Sequence, residues 1–110
     1  IVRTIHEYQA LMKKYNCEKP LWSTEIGLNS QGLTRQHISG DMIQKFAVFF
    51  AAGGVNMNWF DLLYPDGEGK ALGTSGDSFN MFDSRYNAYA ARIDAVSCYN
   101  LINGILEKKF

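Results

Sequence analysis

The chain has few of the residues that fix a structure through covalent links, metals or rigid turns. Its 110 residues include only two cysteines, Cys17 and Cys98, and two prolines. The cysteines lie far apart and form no CxxC pair, so the sequence indicates neither a structural metal site nor a redox motif. One long-range disulfide and two unpaired buried thiols both fit this pattern, and the unpaired buried thiols are the favoured interpretation.

An excess of charge of either sign is also absent. The 11 basic and 11 acidic residues give a formal net charge of zero. Domains that bind nucleic acid or anionic membrane surfaces carry basic patches, so neither is expected as a partner. No apolar run approaches the roughly 20 residues that a membrane-spanning helix needs.

Apolar and aromatic residues, in contrast, are plentiful. Hydrophobic residues make up 46% of the chain and aromatic residues 14%. This composition can form the packed core of one domain at most. Aromatic side chains suit a core and a sugar-binding cleft equally well, so composition does not separate these two uses.

The first helix is predicted over residues 5–15. Thr4 and Glu7 have the spacing of a capping box, with the hydroxyl at the N-cap and the carboxylate three residues later. Apolar residues then recur at helical spacing, and Asn16 is suited to end the helix.

Two strands are predicted, over residues 21–26 and 55–61. The first begins after Pro20 and ends at Gly27, and a short apolar strand between helices is typical of a parallel sheet buried on both faces. In the second strand alternate residues should point to opposite faces, with Val55, Met57 and Trp59 on one face and Asn56, Asn58 and Phe60 on the other.

Two further helices and two loops complete the prediction. The second helix should begin at the capping pair of Asp41 and Gln44 and end at Gly53, after a loop over residues 28–37. A long connection over residues 62–85 should lead to a last helix over residues 86–108.

The alternation of helices and strands predicts an α/β fold with parallel strands. Two strands alone do not make a stable parallel sheet. Additional strands must therefore come from another part of a longer polypeptide, from a second chain, or from copies of this chain.

Glu25 is the most informative residue. It lies near the carboxyl end of the first predicted strand, where α/β barrels place their catalytic groups. A carboxylate in an apolar strand is expected to have either a function or an ion-pair partner, because burying an unpaired charge is costly. The two interpretations are a catalytic carboxylate and a structural glutamate paired with Arg35 or Arg85.

The sequence from Pro20 to Gly27, PLWSTEIG, resembles the seventh strand of the clan of retaining (β/α)8-barrel, or TIM-barrel, glycoside hydrolases. This clan includes cellulase-like, β-xylosidase-like and iduronidase-like families. The sequence VNMNWFD, residues 55–61, resembles their eighth strand. Residues 85–91 resemble the start of their final helix, although the proline of the family's Pro-x-x-x-Tyr-like stretch is missing here.

The resemblance implies that residues 1–110 are the C-terminal segment of such a barrel, with strands seven and eight and helices six to eight. Glu25 matches the nucleophile, and Trp59 matches the aromatic floor of the sugar subsite nearest the scissile bond. In this clan the acid/base carboxylate follows an asparagine on the fourth strand. This chain contains no Asn-Glu pair, so the acid/base residue is expected outside it.

Three further residues are candidates for binding a carbohydrate substrate. Asn58 and Asp61 are placed to contact sugar hydroxyls, or else to form hydrogen bonds within their own loop. His37 is either part of the cleft or a solvated loop histidine. No metal and no cofactor are predicted, because the acidic residues of the long connection do not match an EF-hand loop. The sequence does not fix the compartment, although related hydrolases are often secreted.

Two alternatives to a hydrolase segment stay open. In the first alternative, the chain is a non-catalytic remnant of a barrel with a carbohydrate-binding or oligomerising role. In the second, it is a small α/β domain unrelated to glycosidases, in which Glu25 forms an ion pair with an arginine or lysine and faces no cleft.

Overall fold

A computed structural model describes residues 1–28, 32–60, 62, 80–83 and 90–106. Within them the chain forms a mixed α/β fold with three α-helices and a small parallel sheet. The elements, in chain order, are α1 (Val2–Lys14), β1 (Leu21–Gly27), α2 (Arg35–Ala51), β2 (Gly54–Phe60), β3 (Phe82–Asp83), β4 (Ala90–Ala91) and α3 (Ile93–Leu101), followed by a π-helical segment (Ile102–Leu106).

Helix α1 begins earlier than predicted. It starts at Val2 with no side-chain cap, so the Thr4–Glu7 capping box was wrong. Glu7 instead accepts a hydrogen bond of 2.8 Å from the Arg3 side chain one turn earlier. The predicted end is confirmed, since Asn16 has a positive φ of 50°, a left-handed conformation that asparagine tolerates at helix ends.

Helix α2 also begins earlier than its predicted start at Asp41. The Thr34 hydroxyl caps it by accepting a hydrogen bond of 3.2 Å from the backbone N–H of His37. Asp41 lies inside the helix, where it forms an ion pair with Lys45. The helix ends before Gly53 as predicted, and the φ of 97° at Gly53 explains why glycine is suited to this position.

Strands β1 and β2 match their predicted positions within one residue and pair in parallel. The pairing begins with Leu21 opposite Gly54 and ends with Gly27 opposite Phe60. Met57 belongs to the core, together with Ile5, Met42, Phe46, Phe49, Met81, Ala95 and Leu101. A Cβ atom at Gly54 would overlap the Phe49 ring, so only glycine lets α2 pack this closely on β2.

The other side of the sheet is exposed, which differs from the prediction of burial on both faces. Trp22 is 65% exposed, and Thr24 and Asn58 are also exposed. Trp22 pairs with Asn56, whose side chain bonds to that of Asn58, so these residues share one side. This chain does not supply, within its described residues, the cover that parallel sheets normally have.

The last helix begins later than predicted. Ala90 and Ala91 form β4, which pairs antiparallel with β3, and Arg92 is the N-cap of α3. The predicted start at residue 86 was therefore wrong, although residues 84–89 lie outside the described part. Helical structure continues to Leu106 through the π-helical segment.

Both cysteines are free thiols, as favoured from the sequence. Cys98 in α3 is half-buried, whereas Cys17, just after α1, is exposed. The expected burial of Cys17 was wrong, because the chain has already left the helix at that point.

Candidate active site

Glu25 lies at an irregularity in β1, close to the carboxyl end of the strand. Ser23 pairs with Met57 and Ile26 pairs with Trp59, so two residues of β1 stand opposite one residue of β2. This count is that of a β-bulge, a feature that bends a strand and redirects a side chain, and that occurs often beside active sites. The bulge contains Glu25 itself.

The Glu25 side chain is exposed and takes part in no hydrogen bond or ion pair within the described residues. Arg35, the predicted partner in the structural interpretation, lies 3.8 Å from Asp94 instead. Arg85, the other predicted partner, lies outside the described residues. An exposed carboxylate is available to act as a nucleophile or to accept hydrogen bonds from a ligand.

Asn58 stands opposite the bulge on β2. Its amide Nδ2 lies 3.5 Å from the Thr24 carbonyl oxygen, and its Oδ1 accepts a hydrogen bond of 3.2 Å from Asn56. The side chain is exposed. The fold thus brings this predicted substrate-binding residue to the same irregularity as Glu25, through the pairing of the two strands.

Trp59 lies next to this site, but its ring packs against helix α2. Its ring stacks against Phe46 of α2, with centroids 6.2 Å apart and an interplanar angle of 29°. The Lys45 ammonium group lies 5.5 Å from the ring centroid, within cation–π range. Trp59 is half-buried, so part of its surface serves packing and the rest is open to solvent.

The remaining two candidates are placed differently. His37 was predicted in a loop, but it occupies the first turn of α2, where its side chain is exposed. Its backbone N–H donates the hydrogen bond to Thr34 that caps the helix. Asp61 lies outside the described residues.

Lys45 contributes to this region without having been predicted to do so. Its ammonium group donates a hydrogen bond of 3.2 Å to the carbonyl oxygen of Gly27, two residues after Glu25. The same group pairs with Asp41. The ion pair with Asp41 could have been expected, because the two residues stand four positions apart on α2. The contact of Lys45 with β1 depends on tertiary packing.

Trp22 lies early in β1, a strand predicted to be buried on both faces. Its side chain is instead 65% exposed, more than that of Trp59. It also borders an apolar cleft of about 270 Å³ between α1 and β1, which is lined by Ile1, Thr4, Ile5, Tyr8, Leu21, Trp22, Ser23, Ile26 and Phe49.

No cluster of three or more histidine, cysteine, aspartate or glutamate side chains suited to a metal ion occurs in the described residues. No helix among those described is both long and apolar enough to cross a bilayer. Comparison of the chain with family models, with curated proteins and with solved structures finds no match in any of the three.

Proposed function

We propose that the chain is the C-terminal part of a retaining (β/α)8-barrel glycoside hydrolase, with Glu25 as its nucleophile. The observation that carries this proposal is the exposed Glu25 carboxylate, which has no ion-pair partner among the described residues and lies in a bulge near the carboxyl end of a parallel strand. In α/β barrels this end of the strands holds the catalytic groups. The resemblance of the two strand sequences to the seventh and eighth strands of the clan supports the same assignment.

The proposed reaction has two displacements. A Glu25 carboxylate oxygen attacks the anomeric carbon while the bond to the leaving oxygen breaks, and a second carboxyl group protonates that oxygen. Water, deprotonated by the second carboxylate, then attacks the glycosyl ester and releases Glu25, with net retention of configuration. The second carboxyl group belongs to a strand outside this chain, about 5–5.5 Å from Glu25.

Completion of the sheet by further strands is part of the proposal. Within the described residues β1 and β2 form a sheet of two strands, which is too small to be stable as a parallel sheet on its own. The apolar cleft between α1 and β1 lies beside the strand that carries Glu25. The remaining barrel strands, from a longer polypeptide or from associated copies, would bury this cleft and the exposed side of the sheet.

A second candidate function is carbohydrate binding without catalysis. Trp22 presents a large exposed aromatic surface, and it shares its side of the sheet with the Asn56 and Asn58 amides. Aromatic faces beside hydrogen-bonding amides are suited to sugar rings. This candidate does not require Glu25 to react.

Turnover of activated aryl glycosides tests the two candidates against each other. A good leaving group needs little protonation, so cleavage of its glycosidic bond depends mainly on the nucleophile, whereas turnover also needs the strands that carry the second carboxylate. In an assembly that supplies those strands, we expect turnover with the wild-type chain and with Glu18→Gln, an exposed control near the start of β1, and none with Glu25→Gln at an unchanged circular dichroism spectrum. Turnover by Glu25→Gln at the wild-type rate would contradict the nucleophile assignment. Sugar binding without turnover in all three proteins would favour the second candidate.

A further inference from the structure

One side of α1 is largely apolar and lies open to solvent. Tyr8, Leu11 and Tyr15 are 56%, 51% and 67% exposed, although each is a large hydrophobic side chain. With Ile1 and Thr4, which are also exposed, they recur at alternating intervals of three and four residues. This is the a and d spacing of a helix that packs along a second helix. We call these five residues the α1 stripe.

Contacts within the chain use a different side of α1. Ile5 is the buried residue of the helix, and the Gln9 side chain donates a hydrogen bond of 3.0 Å to the Ala52 carbonyl oxygen after α2. Both residues lie beside the stripe on the helix surface, in the same direction around the axis. A contiguous row of exposed apolar side chains is typical of a surface that contacts another protein. The stripe is therefore a candidate contact for a second helix.

The charged residues beside the stripe complement each other when the helix is reversed. Glu7 and Lys14 flank the stripe on the side away from the core, at equivalent positions one heptad apart. When two copies of α1 lie antiparallel about a two-fold axis, Glu7 of each copy stands opposite Lys14 of the other. Tyr8 then stands opposite Leu11. A parallel pair would instead place Glu7 beside Met12, without a partner charge.

The same arrangement fills the apolar cleft between α1 and β1. Ile1, Thr4 and Tyr8 line this cleft from the helix, and Trp22 lines it from the strand. In the antiparallel pair, Tyr15 of one copy stands opposite Thr4 of the other, so its exposed ring lies at the mouth of that cleft. Two-fold symmetry repeats the contact at the other end of the helix pair.

We propose that two copies of this chain associate through an antiparallel pair of α1 helices, with two Glu7–Lys14 ion pairs along the solvent side of the contact. The reversed order of the two charges argues for a second copy, because it makes this surface complementary to itself. The proposal goes beyond the assignment of Glu25 as a nucleophile and does not depend on it.

The size of the contact predicts a weak dimer. Helix α1 has 13 residues, which corresponds to a length of about 20 Å. A contact limited to this helix pair and the two clefts is smaller than most stable protein interfaces. We therefore expect the dimer population to rise with protein concentration. It should also fall with added salt, because exposed ion pairs are screened.

Sedimentation equilibrium at low salt, over a range of protein concentrations, tests this dimer. Glu7→Lys and Lys14→Glu each turn both ion pairs into like-charge contacts, and each should raise the dissociation constant about tenfold. An equimolar mixture of the two variants restores both ion pairs between unlike chains, so it should associate about as tightly as the wild type. Lys13→Glu and Glu18→Lys make the same changes of charge on a surface outside the stripe. Neither of these controls, nor their mixture, should differ from the wild type.

A wild type that sediments as a monomer at every concentration would overturn the proposal. A wild-type dimer that neither Glu7→Lys nor Lys14→Glu weakens would overturn it as well, because the contact would then lie elsewhere. Circular dichroism checks that the variants fold, and loss of the exposed Arg3–Glu7 ion pair should cost little. Should either variant fail to fold, Leu11→Gln decides. This uncharged change at the centre of the stripe should raise the dissociation constant at least about tenfold, and an unchanged value would contradict the contact.

Discussion

The Lys45 ammonium group donates a hydrogen bond of 3.2 Å to the carbonyl oxygen of Gly27, and so ties α2 to the carboxyl end of β1. The same group lies over the Trp59 ring at the end of β2 and pairs with Asp41 on its own helix. One half-buried side chain therefore holds both strand ends beside the bulge that contains Glu25.

Replacement of Lys45 by methionine should lower the free energy of unfolding by about 1–2 kcal/mol, since it removes a charge-assisted hydrogen bond from a part-buried site. Denaturant unfolding measures this loss, and the Trp59 fluorescence should change with it. Lys13→Met is the control, because Lys13 is exposed near the end of α1. Equal stability of the two variants would mean that the Lys45 contacts contribute nothing to the fold.

Much of the helix and strand order was predictable from the sequence, because it depends on local patterns. The strands around Glu25 and Trp59 were placed within one residue, since Pro20, Gly27 and Gly53 bound the segments. Helix starts were predicted less well. Each of the two predicted capping pairs, at Thr4 and at Asp41, has the right spacing but lies inside a longer helix.

The candidate site was predictable only in part. Glu25 could be singled out because a carboxylate interrupts an apolar strand, and Asn58 because it lies beside Trp59, but their juxtaposition depends on the bulge and on strand pairing. The contact of Lys45 with Gly27 joins residues 18 positions apart on different elements, and no local pattern encodes it. The exposure of Trp22 could not be predicted from its own strand, because it depends on which strands cover the sheet.

Replacement by alanine should have opposite effects on stability at Gly54 in β2 and at Gly40 in α2. Gly54→Ala places a Cβ atom into the Phe49 ring and should destabilise the protein by about 1–3 kcal/mol, as overpacked cores do. Gly40→Ala adds a Cβ with nothing within 4 Å, inside a helix, and should stabilise it by up to about 1 kcal/mol. Thermal unfolding checks both, and a tolerated Gly54→Ala would contradict the packing of α2 on β2.

The two tryptophans should differ in their contribution to stability. Trp22→Thr should change the free energy of unfolding by less than about 0.5 kcal/mol, because Trp22 is largely exposed. Trp59→Thr should cost about 3 kcal/mol, because the Trp59 ring packs on Phe46. Both values come from denaturant unfolding at a concentration where the chain is monomeric. A loss of about 2 kcal/mol or more for Trp22→Thr would show that this side of the sheet is already covered in the 110-residue chain.

The two thiols should react at different rates. Cys17 is exposed, whereas Cys98 is half-buried and burial raises the pKa of its thiol. Because the thiolate is the reactive form, Cys17 should be alkylated at least about ten times faster at pH 8. Mass spectrometry of peptides after brief iodoacetamide treatment measures this ratio, with Cys17→Ser and Cys98→Ser as references. Faster reaction at Cys98 would contradict its placement in α3.

Covalent trapping tests the role of Glu25 most directly. Dinitrophenyl 2-deoxy-2-fluoro-glycosides form a glycosyl ester with a retaining nucleophile and release it slowly. The chain, both as a monomer and in any assembly it forms, is incubated with a panel of these sugars. Its intact mass is then measured by mass spectrometry. We predict one added fluoro-sugar located at Glu25 by peptide mapping, present in Glu18→Gln and absent in Glu25→Gln. A label on another carboxylate, or the same label in Glu25→Gln, would contradict Glu25 as the nucleophile.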